Sequence, residues 1–347
     1  MIWPTARSTS LAGAMTGLAD EVDATYFNPA GLAFQGTAKA DIAYAHWLPG
    51  LQPSMHYVYA AGGVPLRVRA LGHRLYVSGS CIYLTTGAED IVNERGDFLG
   101  RVNVWNGAAA VHAAILLTSK LGAGIALKAT HNTYYDDWDE KSYAGTAPAA
   151  DLAVLYRPLS SVSIGATVAN LGPTMVYRPS GEAFSMPHIA RLGLCWTPVE
   201  KGYVRLRLMP ELDKVLVGIF SDTTGKSFGG QLHEEWRDVW KAVGVEATAF
   251  NLVSLRLGYL EDLTNQRGGI IFENEDGQTY HYGIWDAMTR TDLGKLERVG
   301  ICWGLGFGSD KLRFDFSSDA AIYDFPTSNW KIQLTSNDVG GLLRRRS

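Results

Sequence analysis

The residues that could carry out chemistry fall into a few short segments, and each segment lacks part of the motif it resembles. Residues 222–227 read DTTGKS, which is similar to a phosphate-binding loop, but Phe220 stands where that motif needs a glycine five residues before Gly225. His233 is followed by two glutamates but not by the second histidine that a zinc protease needs. We therefore expect the first segment to be a polar surface loop and the second not to bind zinc.

The sequence also contains no clear metal-binding or hydrolase motif among its carboxylates, cysteines and histidines. The acidic residues between positions 136 and 140 could hold a divalent cation, although a solvated run of charge is the simpler interpretation. Cys81, Cys195 and Cys302 are far apart, odd in number and placed in predicted strands, so we expect small packing residues and no disulfide. Serines and histidines on alternating strands can meet by chance, but no set stands out as a hydrolase triad. We expect no enzyme, no cofactor and no bound metal.

The composition indicates a chain in which apolar and polar residues are interleaved. Hydrophobic residues make up 46% of the 347 residues, yet the mean hydropathy is only −0.03. Charged residues, at 19%, fall below the roughly 25% of soluble domains. No window approaches the ~18 unbroken apolar residues of a spanning helix. The formal net charge of −4 argues against nucleic acid as a partner.

Several segments alternate with period two, which predicts β-strands with one apolar face. The clearest are residues 298–307, 312–318 and 329–335. The opposite faces carry glycines, serines and single charges, and Trp and Tyr collect near the strand ends, as in an aromatic girdle. A soluble sandwich or a lipocalin-type barrel would alternate in the same way with its apolar face turned inward. The two alternatives differ in where Trp303, Phe314 and Ile332 point relative to Arg298, Arg313 and Lys331.

The connections between predicted strands alternate between long and short, which is typical of outer-membrane barrels. If the first spanning strand is residues 38–47, the outer connections are residues 48–54, 85–103, 133–149, 171–187, 212–235, 261–297 and 323–328. The inner ones are residues 63–72, 119, 158–161, 198–202, 248–251 and 308–311. The sequence therefore predicts an all-β fold, a transmembrane antiparallel β-barrel of about fourteen strands in the bacterial outer membrane. Such a barrel must be exported, so we expect a leader that was removed or that lies upstream of residue 1.

The segment before the first predicted strand has a different character. Leu11, Met15 and Leu18 have helix-like spacing, and Pro29 restricts Asn28 to an extended conformation before a tight turn at Ala30 and Gly31. This compact segment could lie inside the lumen as a plug, or it could be a periplasmic helix followed by an ordinary turn.

The same segment resembles the N-terminal signature of FadL-type barrels. The similarity lies in residues 12–20 (AGAMTGLAD) and 26–33 (YFNPAGLA), and in that superfamily an Asn-Pro-Ala turn belongs to the hatch that plugs a fourteen-stranded barrel. Weaker similarities further along the chain resemble the PorV (LptO) group of the type IX secretion system. They lie in residues 43–49, 100–103, 212–217, 257–259 and 298–307. The resemblance implies a hatch in residues 1–36 with the motif Asn28, Pro29, Ala30 and Gly31, a barrel in residues 37–336 and a tail in residues 337–347.

A PorV-like protein would act by binding, with no chemistry of its own. Its partners would be a large translocon barrel and the C-terminal signal domains of secreted cargo, besides outer-membrane lipid. Exposed apolar patches usually mark interaction surfaces, so apolar residues in the outer loops are the candidates for partner binding. These candidates are Trp47, Leu48, Val215, Leu216, Val217, Phe220, Phe272, Tyr280, Tyr282 and Trp285. Loops that pack on each other to cap the barrel are the alternative explanation.

A FadL-like uptake channel for hydrophobic molecules is the alternative function. It predicts an apolar pocket above the hatch and a strand kink that opens a lateral exit. Two features depart from the PorV pattern, namely a long insertion at residues 268–296 and a basic tail that ends in Arg344–Ser347. The tail is either a solvated end or a contact with the periplasm or lipid headgroups.

Overall fold

The computed structural model describes residues 2–49, 54–70, 72–92, 95–136, 141–218, 227–264, 266–309, 311–323 and 327–339. These residues contain fourteen antiparallel strands that follow one another around a barrel wall. They are β1 (Lys39–His46), β2 (His56–Ala70), β3 (His73–Val92), β4 (Phe98–Leu116), β5 (Leu121–Asp136), β6 (Lys141–Leu159), β7 (Val162–Leu171), β8 (Ile189–Lys201), β9 (Val204–Val215), β10 (Trp240–Ala249), β11 (Val253–Asp262), β12 (Ile301–Gly308), β13 (Leu312–Ser318) and β14 (Trp330–Ser336).

The sheet closes because the last strand pairs with the first. Strand β14 lies antiparallel to β1, with Leu334 opposite Ile42 and Thr335 opposite Asp41. A closed sheet has no edge, so the wall satisfies its own backbone hydrogen bonds, which a bilayer demands of any spanning structure. The predicted fold class, a transmembrane β-barrel of fourteen strands with an N-terminal hatch, is confirmed.

The two faces of the wall have opposite chemistry. Trp303 and Phe314 point outward and are 44% and 48% exposed, whereas Lys331 and Asp315 point into the lumen and are 4% and 0% exposed. An apolar exterior around a polar interior is the arrangement of a membrane barrel. A soluble barrel would have the reverse.

The wall is taller on one side than on the other. Strands β2–β6 are 15 to 20 residues long, although about 9–11 residues suffice to span a bilayer. The predicted connections at 63–72, 85–103 and 133–149 were therefore too long, because most of these residues continue the strands. The extended hairpins are held by cross-strand pairs such as Tyr134 and Tyr143, whose rings stack 5.1 Å apart.

Short elements lie in the hatch and in the outer connections. The hatch contains α1 (Ala6–Ser10), α2 (Ala24–Phe27) and a 3-10 helix (Pro29–Phe34). The outer connections contain α3 (Phe228–Arg237), α4 (Ile284–Thr289) and a 3-10 helix (Ala320–Ile322). Their short strands are Met175–Arg178, Ala183–Phe184, Arg267–Gly268, Ile270–Glu273, Thr279–Tyr282 and Lys295–Val299. None of the helices in the described ranges is long and apolar enough to cross a membrane.

The predicted strand at residues 298–307 is divided at Gly300. Strand Lys295–Val299 pairs with Ile270–Glu273 in a small outer sheet, and β12 begins only at Ile301. A side chain at position 300 would lie 2.3 Å from the backbone of Gly268, so the glycine lets the chain pass this crossing. The alternation of apolar residues therefore runs through two different sheets.

Candidate functional site

Residues 2–36, which we name the hatch, lie inside the lumen. Nearly all of them are buried, and α1 packs against β12 and β13. Sequence patterns left a plug and a periplasmic helix equally open for this segment. The structure places it inside the barrel, so the hatch fills the pore between the two membrane faces.

The hatch contacts the wall through glycines on the inner face of the strands. A side chain added at Gly165 would lie 2.0 Å from the carbonyl oxygen of Thr16, and one added at Gly124 would lie 2.4 Å from the backbone nitrogen of Ala30. These inward glycines let the hatch backbone pack directly on the wall backbone. They explain why small residues occupy so many polar-face positions.

The helix suggested by Leu11, Met15 and Leu18 does not form. Helix α1 ends at Ser10, and Ala12, Gly13 and Ala19 adopt positive φ angles that turn the chain. Their apolar spacing instead reflects burial in a narrow lumen.

The Asn28 motif ties three parts of the protein together. The Asn28 side-chain nitrogen donates to the carbonyl oxygens of Thr16 and of Val154 on β6, both at 2.9 Å, and its oxygen accepts from the Ala30 N–H at 3.1 Å. Pro29 begins the 3-10 helix, and a side chain at Gly31 would lie 2.2 Å from the Ala19 carbonyl oxygen. The motif therefore folds the hatch on itself and fixes it to the wall.

A network of buried ion pairs locks the hatch at its centre. Glu246 on β10 binds Arg7 of the hatch at 3.1 Å and Arg256 on β11 at 2.7 Å. Four arginines face four carboxylates, so the network is balanced in charge. Its members are Arg7, Arg207, Arg256 and Arg313 with Asp20, Glu21, Glu246 and Asp315. Buried charges are tolerated only when paired in this way, and removing one partner is costly.

The hatch carboxyls differ in their protonation behaviour. Burial raises the pKa of Asp20, but the Arg7 and Arg207 guanidiniums outweigh it and hold that pKa well below its usual range. Burial and then the Glu21 carboxylate raise the pKa of Asp23 to about 7. Asp23 has the Thr5 hydroxyl within 3.3 Å, in place of an arginine pair.

A second set of polar contacts holds the other half of the hatch. The Glu211 carboxylate on β9 accepts from the Thr16 N–H at 2.8 Å and from its hydroxyl at 2.6 Å. Arg191 on β8 donates to the carbonyl oxygen of Tyr26 and lies over the rings of Tyr26 and Phe27. The hatch is thus bound to the wall by polar side chains on both sides.

A cavity of about 320 Å³ lies between the hatch and the outer connection 172–188. Its walls are formed by the outer part of the hatch, by inward-facing side chains of β2–β5, by Asn170 near the end of β7 and by that outer connection. The lining residues are Ile2, Tyr26, Tyr57, Ile82, Leu84, Asn106, Gly107, Ala108, Thr130, Asn132, Asn170, Met175, Tyr177, Phe184, Ser185, Met186 and Pro187. A concave, mostly apolar space with a few polar groups is the usual form of a small-molecule site.

The wall beside this cavity is irregular. Ala150 pairs with Leu171 and Leu152 pairs with Val168, so the register between β6 and β7 slips at Asp151. Asn170 has a φ of 62° and donates its N–H to Asp151 at 2.8 Å. Lys128 lies 2.7 Å from Asp151 and donates to the Asn170 side chain at 2.6 Å. The seam between β6 and β7 is therefore distorted but held shut by polar contacts.

Trp47 and Leu48, two of the residues expected to bind partners, seal the barrel's outer end. Leu48 is 7% exposed and donates its N–H to the Asn329 side chain at 2.6 Å. The Trp47 indole lies 3.4 Å from the Tyr323 hydroxyl. Both residues pack against the hatch core, which matches the capping explanation for this pair.

Val215, Leu216 and Val217 lie at the outer end of β9. Val215 is the last residue of the strand, and Leu216 donates its N–H to the His188 carbonyl oxygen at 2.8 Å. Only Val217 is strongly exposed. Phe220, predicted with them, lies outside the described residues, as do most of residues 222–227 and residues 137–140 of the acidic cluster.

The remaining candidates belong to the connection between β11 and β12. Phe272 and Tyr282 are half-buried and contact each other in the small outer sheet, whereas Tyr280 is exposed. Trp285 on α4 is 70% exposed and its neighbour Met288 is 71% exposed. The structure thus brings these residues into one outer connection but does not join them to Trp47 and Leu48.

The uptake-channel alternative predicts an apolar pocket above the hatch, but sequence patterns singled out neither the residues that line the cavity nor the pairing of the lumenal charges. Glu246 and Arg256 lie opposite each other on neighbouring strands, so charges at inward positions of adjacent predicted strands were the available signal. The cavity had no local signal, because its lining comes from six separate parts of the chain. Among the residues described, no group of three or more potential ligands is arranged to hold a metal ion. Cys81, Cys195 and Cys302 are free thiols.

Comparison with solved structures finds channels with the same fold. The toluene transporter TbuX of Ralstonia pickettii matches with a TM-score of 0.53 at 10% identity, covering 96% of this chain and 97% of that one. The toluene transporter TodX of Pseudomonas putida matches with a TM-score of 0.52 at 10% identity, over 96% and 97%. CymD, a monoaromatic hydrocarbon channel, matches with a TM-score of 0.52 at 10% identity, over 95% and 94%. No protein-family model and no curated protein sequence matches this chain.

These matches define the class of fold. The chain is a fourteen-stranded antiparallel β-barrel with the fold of these channels, plugged by its own N-terminal segment. Its apolar exterior and this fold place it in the bacterial outer membrane.

Proposed function

We propose that this barrel is an uptake channel for small hydrophobic molecules. The observation that carries the proposal is the mostly apolar cavity of about 320 Å³ on the outer side of the hatch. A molecule entering from outside would meet this cavity before the plugged centre of the lumen. The structural neighbours include toluene and monoaromatic hydrocarbon channels, which supports the same class of cargo.

The molecule would leave the cavity in one of two directions. The ion-pair network blocks the direct route to the periplasm, because Arg7 and Glu246 join the hatch to the wall. The distorted seam at Asp151 and Asn170 borders the cavity and offers a lateral route into the bilayer. The polar contacts of Lys128 close that seam, so passage requires them to separate.

Filling the cavity tests the proposal. Ala108 on β4 lines the cavity, whereas its neighbour Ala109 points out toward lipid. Ala108→Trp is expected to abolish uptake of radiolabelled toluene by a bacterial host that lacks other hydrophobic-compound channels. Ala109→Trp is the matched control and is expected to leave uptake unchanged. Equal uptake by both variants, at equal amounts of folded barrel, would contradict a transport route through this cavity.

A second candidate function is supported by the outer connections. A PorV-like component of a type IX secretion system would bind a large translocon barrel and cargo signal domains through its outer loops. Trp285, Met288 and Trp236 are more than half exposed, and water-exposed aromatic residues of this kind favour a binding surface. The Lys241–Glu261 ion pair joins their two regions, since Lys241 lies over the Trp236 ring and Glu261 accepts from the Ile284 N–H.

Photo-crosslinking separates the two functions. A photoreactive residue at Trp285 is expected to crosslink to one barrel much larger than this chain, identified by mass spectrometry, if the secretion function holds. A probe at lipid-facing Ala109 serves as the control. The double variant Trp285→Ala with Met288→Ala should then abolish the crosslinked complex while toluene uptake, if present, continues. The absence of any specific crosslink under gentle extraction would count against the secretion function.

A further inference from the structure

Four arginines lie at the inner end of the barrel, outside the balanced ion-pair network of the lumen. Arg67 and Arg74 belong to the connected ends of β2 and β3, Arg157 lies near the end of β6, and Arg205 lies near the start of β9. All four are exposed or half-buried. We name these four residues the basic rim.

The basic rim faces the mouth of the lumen and not the lipid. Arg74 lies two residues before Tyr76, and Arg157 lies two residues after Leu155. Tyr76 and Leu155 point inward and are 2% and 0% exposed. Side chains two residues apart on a strand share a face, so Arg74 and Arg157 project inward as well. The Arg157 guanidinium accordingly lies 4.0 Å from the centre of the Phe34 ring of the hatch.

Arg205 reaches the same space from β9. It lies two residues before Arg207, which pairs with Asp20 of the hatch at 2.8 Å. The Arg205 side chain is 30% exposed, and Glu200, which is 64% exposed, lies 3.9 Å from it. An exposed ion pair of that length contributes little. Asp20 already pairs with Arg7 and Arg207, so the positive charge of Arg205 is mostly uncompensated.

No acidic residue of the same hairpin offsets the arginines of β2 and β3. Between Asp41 and Glu89 the sequence contains neither aspartate nor glutamate. Among the described residues, no carboxylate lies within ion-pair distance of Arg67, Arg74 or Arg157. Surplus charge of one sign around a mouth with low-dielectric walls focuses the electric field there. The inner end of the lumen therefore attracts anionic groups.

The basic rim is too wide for one small anion. Neighbouring strands are about 4.8 Å apart, so the seven steps from β2 to β9 cover about 34 Å of the wall. An extended peptide of about ten residues spans about 33 Å. The planar guanidinium of arginine pairs with carboxylates through two parallel hydrogen bonds. A segment rich in aspartate or glutamate thus matches both the length and the charge of the rim.

We propose that the basic rim docks an extended, acidic segment of a periplasmic protein at the inner end of the barrel. The segment follows the mouth of the lumen from β2 to β9, and its carboxylates pair with the four arginines. This surface is separate from the cavity and from the outer connections, so the inference does not depend on which cargo the barrel carries.

Fluorescence anisotropy with labelled acidic peptides tests the docking surface. The full-length protein is held in nanodiscs of phosphatidylcholine, and the probes are peptides of three and of ten glutamates. Arg67→Gln combined with Arg74→Gln removes two charges of the rim. Arg101→Gln combined with Arg290→Gln is the control matched in charge, because Arg101 and Arg290 are exposed at the outer end of the barrel.

The peptide of ten glutamates should bind at least about tenfold more tightly than the peptide of three, because only the longer one reaches several arginines. The rim variant should weaken its binding about tenfold, since each exposed ion pair contributes up to a factor of about five. The control should change it less than about twofold. Equal affinity for the two peptides, or equal losses in the rim variant and the control, would overturn the proposal.

A second variant and a lipid measurement complete the test. Arg157→Gln combined with Arg205→Gln removes charge from the other side of the mouth and should weaken binding of the longer peptide to a similar extent. Native mass spectrometry of the detergent-purified protein with added phosphatidylglycerol should count the same bound lipids in the wild type and in both rim variants. If the variants lose bound phosphatidylglycerol and keep the peptide, the arginines contact lipid and the docking proposal is wrong.

Discussion

Replacing Arg7 by methionine tests whether charge balance holds the hatch in the lumen. Arg7 is 1% exposed and pairs with Asp20 at 2.6 Å, Glu246 at 3.1 Å and Glu21 at 3.3 Å. Methionine keeps much of the side-chain length but removes the charge. Three arginines then face four carboxylates in a space that excludes most water.

The expected loss follows from the burial of the remaining groups. Removing one partner from a buried ion pair typically costs about 3–5 kcal/mol, because an uncompensated charge stays behind. Asp20 keeps Arg207 at 2.8 Å and Glu246 keeps Arg256 at 2.7 Å, so the lower end of that range is the better expectation. A loss of about 3 kcal/mol corresponds to roughly a hundredfold weaker docking of the hatch.

Hydrogen exchange measures this loss directly. Amides in residues 5–34 of the Arg7→Met protein should exchange roughly a hundredfold faster than in the wild type, while the strands β12–β14 stay protected. Single-channel recordings in planar bilayers should show openings that the wild type lacks. Arg101→Met is the control, because Arg101 pairs with Asp90 on an exposed outer hairpin.

A second variant tests the cause of the effect. Arg7→Met combined with Glu246→Gln returns the network to three arginines and three carboxylates. The double variant should recover part of the protection from hydrogen exchange that Arg7→Met loses. The reason is that the free-energy effects of substitutions at neighbouring charges in one network are not additive. The charge-balance argument would be refuted if the hatch amides of Arg7→Met exchanged as slowly as in the wild type. It would also be refuted if the double variant lost more hatch protection than the sum of the losses in the two single variants.

Three further outcomes follow from the structure. The raised pKa of Asp23 means that the folded protein keeps a proton that the unfolded chain releases above its usual pKa of 3.8, so stability should fall as pH rises from about 4 to about 7. Asp23→Asn should flatten that slope in urea unfolding from lipid vesicles. Gly165→Ala should speed hatch exchange because the new carbon would lie 2.0 Å from the Thr16 carbonyl oxygen, whereas Gly79→Ala, with no described atom nearer than 3.8 Å, should not. Leu305→Arg on the lipid-facing side should lower the free energy of unfolding by about 2–4 kcal/mol.

The strand pattern of the wall was predictable because lipid imposes it residue by residue. Each position that faces lipid must be apolar. The alternating apolar residues Trp303 and Leu305 therefore indicate in the sequence both that a strand is present and which of its faces points to lipid. The hairpins of β3–β6 were predicted too short, because above the bilayer the outward face is no longer restricted to apolar residues and the alternation fades. Strand pairing there is set by cross-strand neighbours that the linear pattern does not show.

The hatch was predicted in part. Asn28 and Pro29 indicated a fixed turn, since their backbone restrictions are local. The helix suggested by Leu11 and Met15 was wrong, because in a narrow lumen every face of the segment is buried and apolar spacing loses its helical meaning.

The amino-acid sequence by itself determined the class of fold, because side chains that face hydrocarbon on one side and a polar lumen on the other leave a period-two record along every strand. Only the tertiary structure decided where the hatch lies, which charges meet and what the cavity can hold. Those properties depend on residues far apart in the chain, such as Arg7 with Glu246 or Tyr57 with Met175. Closure of the barrel brings these residues together, and no local sequence pattern indicates which distant residues will meet.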